Sequence, residues 1–178
     1  DGHPPRAPKG TVVDDVLANT PLFSALDAHG AEALRSSLNE MKVSKGQELF
    51  HEGEPGEHLY LILDGKVKLG HGAPYGRESL MAVLGPGEMF GELSLFDPGL
   101  RTSTATALTD AIVLALGNDQ LMPLLEGRPA VAAALLQALA RRLRRTNEAM
   151  ADLVFSDVPG RVAKALMELG EKFGTLTP

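Results

Sequence analysis

The sequence predicts a mainly β fold with helices: a sandwich or jelly roll of short strands, followed by one long helix. Between residues 40 and 116, six short apolar or alternating runs are separated by glycine-containing turns, which is typical of antiparallel β-domains. After Pro129 no glycine or proline occurs until Pro159, so a single helix can reach about Phe155. A hydrophobic content of 44% suits a packed domain of this class.

The individual elements follow from local patterns. Helical spacing is found in residues 14–18 and 27–38, and Thr20–Phe23 is expected to form an extended link between them. Asp64-Gly65 is a strong signal for a tight hairpin. Asp157 is expected to cap a last helix, which ends at Gly174. The predicted strands are residues 48–50, 58–63, 66–69, 78–84, 103–108 and 111–116.

Composition excludes several classes of protein. The chain has 178 residues, no cysteine and a formal net charge of −6. Without cysteines it can form neither a disulfide nor a Cys-ligated zinc or iron–sulfur centre. The negative net charge argues against a domain that holds DNA by itself. No apolar run reaches the roughly 18 residues of a membrane span, so no membrane partner is expected and a cytoplasmic protein is predicted.

Residues 90–105 carry the pattern that is most informative about function. Gly91 permits close approach of the backbone, and Glu92-Leu93-Ser94 can open a helical turn whose N–H groups point at an anion. Arg101 can bind a phosphate through two parallel hydrogen bonds. Glu92 would repel a phosphate but suits the hydroxyl groups of a ribose. The pattern predicts a site for a small, singly charged sugar phosphate, with a solvated surface turn as the alternative.

A strict heptad pattern runs along the long helix. Apolar or small residues at 132, 136, 139, 143, 146, 150 and 153 are spaced alternately by four and three. This period favours a two-stranded dimer seam over an ordinary buried helix, and the seam residues are Leu136, Leu139, Leu143, Met150 and Leu153. Thr146 places a hydroxyl in the seam and Asn147 lies beside it, a polar interruption that either sets the register or meets a ligand.

Three segments, in this order, resemble the CRP/FNR family of bacterial transcription regulators. The phosphate-binding cassette of cyclic nucleotide-binding domains resembles residues 90–105 (FGELSLFDPGLRTSTA). The long helix and the hinge of bacterial cAMP receptor proteins resemble residues 140–147 (ARRLRRTN) and 155–161 (FSDVPGR). The likeness spans roughly residues 14–174 and is of the actinobacterial type. It implies that the β-domain is an antiparallel β-roll.

The resemblance implies cAMP as the ligand and assigns roles to the site residues. Arg142 would help to neutralise the phosphate, and Thr146 and Asn147 would meet the adenine, one from each of two subunits. Thr102 would also accept a guanine amino group, and Ala82 stands where some cAMP sensors have a hydroxyl residue, so cGMP stays open as a ligand. The cyclic phosphate and ribose would be held by Gly91, Glu92, Leu93, Ser94, Arg101 and Thr102.

The chain is expected to consist of four segments. Residues 1–10 are a flexible lead, 11–128 the β-roll with flanking helices, 129–156 the dimerisation helix, and 157–178 the hinge region with the first helix of a DNA-binding domain. The hinge itself is Phe155, Ser156 and Asp157. The implied partners are a second copy of the chain, DNA through a C-terminal domain that this chain lacks, and, as an open question, RNA polymerase. A stand-alone regulatory domain of a kinase or channel is the alternative.

Catalytic and metal-binding interpretations have little support. Five histidines have no metal-ligand spacing. His51 and His58 flank an acidic turn, residues 52–57, for which a solvated turn is favoured over a cation site. The chain has no P-loop, no dinucleotide fingerprint and no nucleophile elbow. We therefore expect a binding protein and not an enzyme.

Overall fold

The structure, a computed structural model, describes residues 16–24, 26–73, 77–97, 99–155 and 157–174. The predictions for residues 1–10 and for Ser156 lie outside this part, and so do those for the side chains of Leu153 and Phe155. The chain divides into two compact units, of which the first ends at Ala134 and the second begins at Leu135.

Eight strands form two antiparallel four-stranded sheets, as predicted for a β-roll. One sheet has the strand order β1-β8-β3-β6 and the other has the order β2-β7-β4-β5. The strands are β1 (Asn39–Val43), β2 (Glu48–Phe50), β3 (His58–Asp64), β4 (Val67–Ala73), β5 (Arg77–Leu84), β6 (Met89–Phe90), β7 (Thr104–Ala107) and β8 (Ala111–Gly117).

The hydrophobic core lies between the two sheets. Alternate residues of each strand point into it, for example Tyr60 and Ile62 on β3 and Val67 and Leu69 on β4. Burying each such large apolar side chain stabilises the fold by about 1.5–3 kcal/mol. The alternation continues through Ala105 and Ala107 on β7 and Val113 and Ala115 on β8. Ala105 is the cross-strand neighbour of Phe50 and Ala115 that of Tyr60, so small residues lie beside these aromatic ones.

Six helices have both ends in the described ranges, and residues 16–18 are helical as well. The six helices are α1 (Pro21–Ser24), α2 (Ala28–Ser37), α3 (Leu93–Phe96), α4 (Asn118–Gly127), α5 (Pro129–Phe155) and α6 (Val158–Phe173). Asp27 caps α2 by accepting the Gly30 N–H at 2.7 Å, and its pKa is lowered by that bond and by a hydrogen bond from Arg128. Asp157 caps α6 in the same way, through the Gly160 N–H at 2.9 Å, as predicted.

The expectation of an extended link at Thr20–Phe23 is wrong. Pro21–Ser24 forms a helical turn, because the Thr20 hydroxyl accepts the Phe23 N–H at 3.4 Å and proline fits the first helical position. The same hydroxyl donates to the Leu17 carbonyl at 2.8 Å, which satisfies it although Thr20 is fully buried. A threonine followed by proline was thus a cap signal.

The hairpin predicted at Asp64-Gly65 is also wrong. Gly65 has the positive φ of +84° that such a turn requires, but β3 and β4 belong to different sheets and do not pair. The turn instead carries the chain from one sheet to the other. Two strands were not predicted: β1, which has only one buried residue, and β6, which is two residues long.

Candidate functional site

The turn between β6 and α3 brings the predicted cassette residues together. Gly91 has φ +80°, a left-handed conformation that strains any residue with a Cβ. A Cβ at this position would lie 2.9 Å from Arg101 Nη1 and 3.0 Å from the His58 carbonyl oxygen. Glu92 occupies the N-cap position of α3 without a side-chain capping bond, and the first N–H groups of the helix have no acceptor within it. The turn therefore combines a glycine that permits close backbone approach with the N-terminal N–H groups of a helical turn.

Arg101 is fixed in this site by its backbone and its guanidinium. Its N–H donates to the Glu54 carbonyl at 2.7 Å, and its carbonyl accepts the Gly53 N–H at 2.8 Å. The guanidinium donates through Nη1 to the Gly91 carbonyl at 2.7 Å and through Nη2 to the His58 carbonyl at 2.9 Å. The side chain thus ties the turn after β6 to the start of β3.

The charged groups of the site are buried, which excludes the alternative of a solvated surface turn. Glu92 is 4% exposed and Arg101 is 5% exposed. Burial lowers the pKa of Arg101 from its usual value, and the nearby Tyr60, Glu92 and Glu54 groups oppose this shift. Arginine stays charged all the same. Among the described atoms, Arg101 Nε has no hydrogen-bond partner, so a buried donor on a cation is available to an anion.

Ser94 and Thr102 lie at the edges of this arrangement. Ser94 packs against Gly56, where a Cβ would collide with the serine side chain and would lie 2.9 Å from Arg101 Cζ. Thr102 is exposed, and its carbonyl oxygen lies 3.4 Å from His71 Nδ1, which also pairs with Glu52 at 3.0 Å. Leu93 is 49% exposed on α3.

Sequence reasoning missed several residues that build the site. Gly56 makes room for Ser94 and Arg101, His58 contributes its carbonyl, and Phe50 lies against the guanidinium. The acidic turn that contains Gly56 had been considered for a cation instead. No cluster of His, Cys, Asp or Glu that could hold a metal is found among the described residues. Gly56, the glycine after Glu54-Pro55, was the one signal in the sequence that could have identified this turn as part of the site.

The family model of the cyclic nucleotide-binding domain matches residues 40–128, a range that contains the whole cassette. The chain belongs to this family. The matched range is half of the chain.

Three known proteins are similar to this cyclic nucleotide-binding chain. A CRP-like cAMP-activated global transcriptional regulator of Mycobacterium tuberculosis is 48% identical over 163 residues, which are 92% of this chain and 73% of that protein. The solved N-terminal domain of a transcriptional regulator from Streptomyces coelicolor A3(2) is 57% identical with a TM-score of 0.62, and the match covers 76% of this chain and 97% of that one. The Thermus thermophilus catabolite activator protein is 37% identical with a TM-score of 0.69, covering 86% of this chain and 72% of that one. The predicted resemblance to CRP-like regulators is confirmed.

The remaining predicted ligand residues lie on α5, beyond the family match. Arg142, Thr146 and Asn147 occupy one stretch of this helix, where the Thr146 hydroxyl donates to the Arg142 carbonyl at 3.1 Å. This bond is local to the helix, a contact that threonine hydroxyls often make with the carbonyl four residues earlier.

Three of the five predicted seam residues are strongly exposed for their type, and Leu139 is half-buried. Leu136 is 66% exposed, Leu143 is 62% exposed and Met150 is 59% exposed. All three lie on one uninterrupted helix, so the heptad spacing aligns them on one side. None of the helices in the described ranges combines the length and hydropathy of a membrane span.

Proposed function

We propose that this chain is the cAMP-binding sensor and dimerisation region of a homodimeric transcription regulator. The observation that carries the proposal is the buried Arg101, whose Nε donor is available and whose guanidinium binds the carbonyl of Gly91, the residue before the buried Glu92. The relatives that match at 37% and 48% identity are a catabolite activator and a cAMP-activated transcriptional regulator, and not enzymes, kinases or channels. A binding role agrees with this kinship.

The cassette residues divide the ligand between them. Arg101 neutralises the cyclic phosphate, and the N–H groups of Leu93 and Ser94 donate to its oxygens. Gly91 lets the ligand approach the backbone. Glu92 accepts the ribose hydroxyl, because its charge disfavours contact with the phosphate.

The helix residues complete the site. Thr146 of one subunit and Asn147 of the other hydrogen-bond to the adenine, so that ligand binding depends on the dimer seam. Arg142 adds positive charge near the phosphate. Thr102 sits at the edge of the cassette and, together with Ala82, leaves cGMP as a weaker ligand.

The same proposal extends to the rest of the protein. The relative from M. tuberculosis is longer than its matched region, which is 73% of its length. A DNA-binding domain joined after α6 would respond to the ligand through the hinge at residues 155–157. Such a regulator works in the cytoplasm, where it contacts DNA and, when it activates, RNA polymerase.

Replacing Arg101 tests the phosphate site. Losing one charge-assisted pair in a buried site costs about 2–5 kcal/mol, so Arg101→Ala should weaken cAMP binding by roughly two orders of magnitude or more. Isothermal titration calorimetry measures this directly, with a thermal melt to show that the variant is folded. Arg35→Ala, which removes an exposed arginine of α2, is the matched control and should bind like the parent. A folded Arg101→Ala chain with unchanged affinity would refute the site.

A further inference from the structure

The guanidinium carbon of Arg101 lies over the ring of Phe50. Arg101 Cζ is 4.1 Å from the centroid of the Phe50 ring and 5.9 Å from that of Tyr60. A cation over the face of an aromatic ring at less than about 6 Å is attracted by the negative charge of the π-system. Among the described rings, Phe50 is therefore the one nearest to the cation that the proposed function assigns to the phosphate.

This contact matters because the cation is cut off from water. Arg101 is 5% exposed, and burial lowers its pKa by removing the water that would otherwise solvate the charge. Two backbone carbonyls, those of Gly91 and His58, replace part of that solvation at the edge of the guanidinium. The Phe50 ring replaces it at the face. Edge and face contacts together fix the plane of the group and hence the direction in which Nε donates.

Phe50 is itself held rigidly. It is 7% exposed, and its ring centroid lies 5.8 Å from that of Tyr60 and 6.0 Å from that of Phe90. Tyr60 and Phe90 stack on each other at 5.2 Å, so the three rings form one aromatic cluster at this end of the core. A leucine would fill much of the same space but would offer no ring face to the cation.

We propose that Phe50 is a positioning residue for phosphate binding: its ring orients and electrostatically supports Arg101, so that the guanidinium meets the cyclic phosphate without reorganisation. The inference rests on the proposed function, because it assumes that Arg101 binds the phosphate. It adds that the affinity of the cassette depends on a residue of β2, which lies about fifty residues before Arg101 in the chain and makes no ligand contact itself.

The test is a double-mutant cycle on cAMP affinity. Phe50→Leu should weaken binding about 3- to 30-fold, the range between an exposed and a desolvated cation–π contact. Phe50→Tyr keeps the aromatic ring and should bind cAMP with the affinity of the parent. In the Arg101→Gln background, Phe50→Leu should have almost no further effect, because the cation on which the ring acts is gone. Phe50→Met serves as the aliphatic variant if the leucine variant does not fold.

A second buried phenylalanine provides the control for a merely structural role. Phe23 is 6% exposed on α1 and lies outside the core cluster between the sheets. Phe23→Leu should lower the melting temperature yet leave cAMP affinity unchanged. The proposal is overturned if Phe50→Leu binds like the parent, if it loses the same factor in both Arg101 backgrounds, or if Phe23→Leu weakens binding equally. If Arg101→Gln lowers the cAMP affinity but Phe50→Leu does not, this inference alone is refuted. If Arg101→Gln leaves the cAMP affinity unchanged, the proposed function is refuted as well.

Discussion

At the scale of single residues, the cassette depends on glycines as much as on charges. Gly91 and Arg101 were predicted from the sequence because their chemistry is local: a glycine at a turn and a cation near a helix start. Gly56 was not predicted as part of the site. Its role depends on a contact with Ser94, which is 38 residues away in the chain, and no local pattern reports such a distance.

Gly56 gives a sharp test of this packing. A Cβ there would collide with Ser94 and would lie 2.9 Å from Arg101 Cζ, so Gly56→Ala should displace both and weaken cAMP binding by about tenfold or more, roughly 1.4 kcal/mol per decade. The matched control is Gly99→Ala in the same region, since the nearest atom to its Cβ, the Asp97 carbonyl oxygen, is 3.7 Å away. Equal affinities for the two variants would show that the close packing of Gly56 does not shape the site.

At the scale of elements, the periodicity of the sequence predicted the long helix and the strands with alternating apolar residues. The long helix α5 follows from 29 residues without glycine or proline after Pro129, and the structure has it at Pro129–Phe155. Alternation likewise predicted β4, where Val67 and Leu69 enter the core. The pairing of strands was less accessible, because Asp64-Gly65 specifies a tight turn but not whether the next strand joins the same sheet.

The short elements were missed for a related reason. β6 has only two residues and β1 is exposed along most of its length, so neither shows an apolar alternation. Both are held by their neighbours: β6 pairs with β3 and β1 pairs with β8. Such strands form because they pair with a neighbouring strand, and their local sequence does not predict them.

The heptad pattern on α5 predicts a dimer of this chain. Leu143 and its neighbours in the seam would be buried by a second copy, so replacing Leu139 and Leu143 with glutamate should produce monomers. The control pair, Gln137→Glu with Arg141→Glu, adds charge of the same sign on the opposite side of the helix and should leave dimers intact. Light scattering at micromolar concentration measures the mass. A monomeric mass for the unaltered chain would refute the seam.

At the scale of the whole molecule, the proposal couples two kinds of binding. The cassette of the first compact unit holds the phosphate and ribose, while residues of α5 in the dimer read the base. A ligand that engages both shifts the protein toward the arrangement in which these contacts coexist, and by no more than its preference for that arrangement. The hinge at residues 155–157 begins at the last residue of α5, so this shift would reorient the helix α6 and whatever domain is joined to it.

The proposed ligand explains why the site has one buried cation and one buried anion. Cyclic AMP offers a phosphate with a single negative charge to Arg101 and a free 2′-hydroxyl to Glu92. The phosphate of AMP carries more charge at neutral pH and is not held in a ring, so Glu92 would repel it and the cassette would fit it less well. Selectivity between these two nucleotides therefore reports on the central claim without any mutation.

The most direct measurement is a calorimetric titration of the unaltered chain with cAMP, cGMP and AMP under identical conditions. We expect saturable binding of one cAMP per chain, weaker binding of cGMP, and AMP weaker than cAMP by at least about tenfold, or 1.4 kcal/mol. Absence of cAMP binding, or equal affinities for cAMP and AMP, would contradict the assignment of this cassette to a cyclic phosphate.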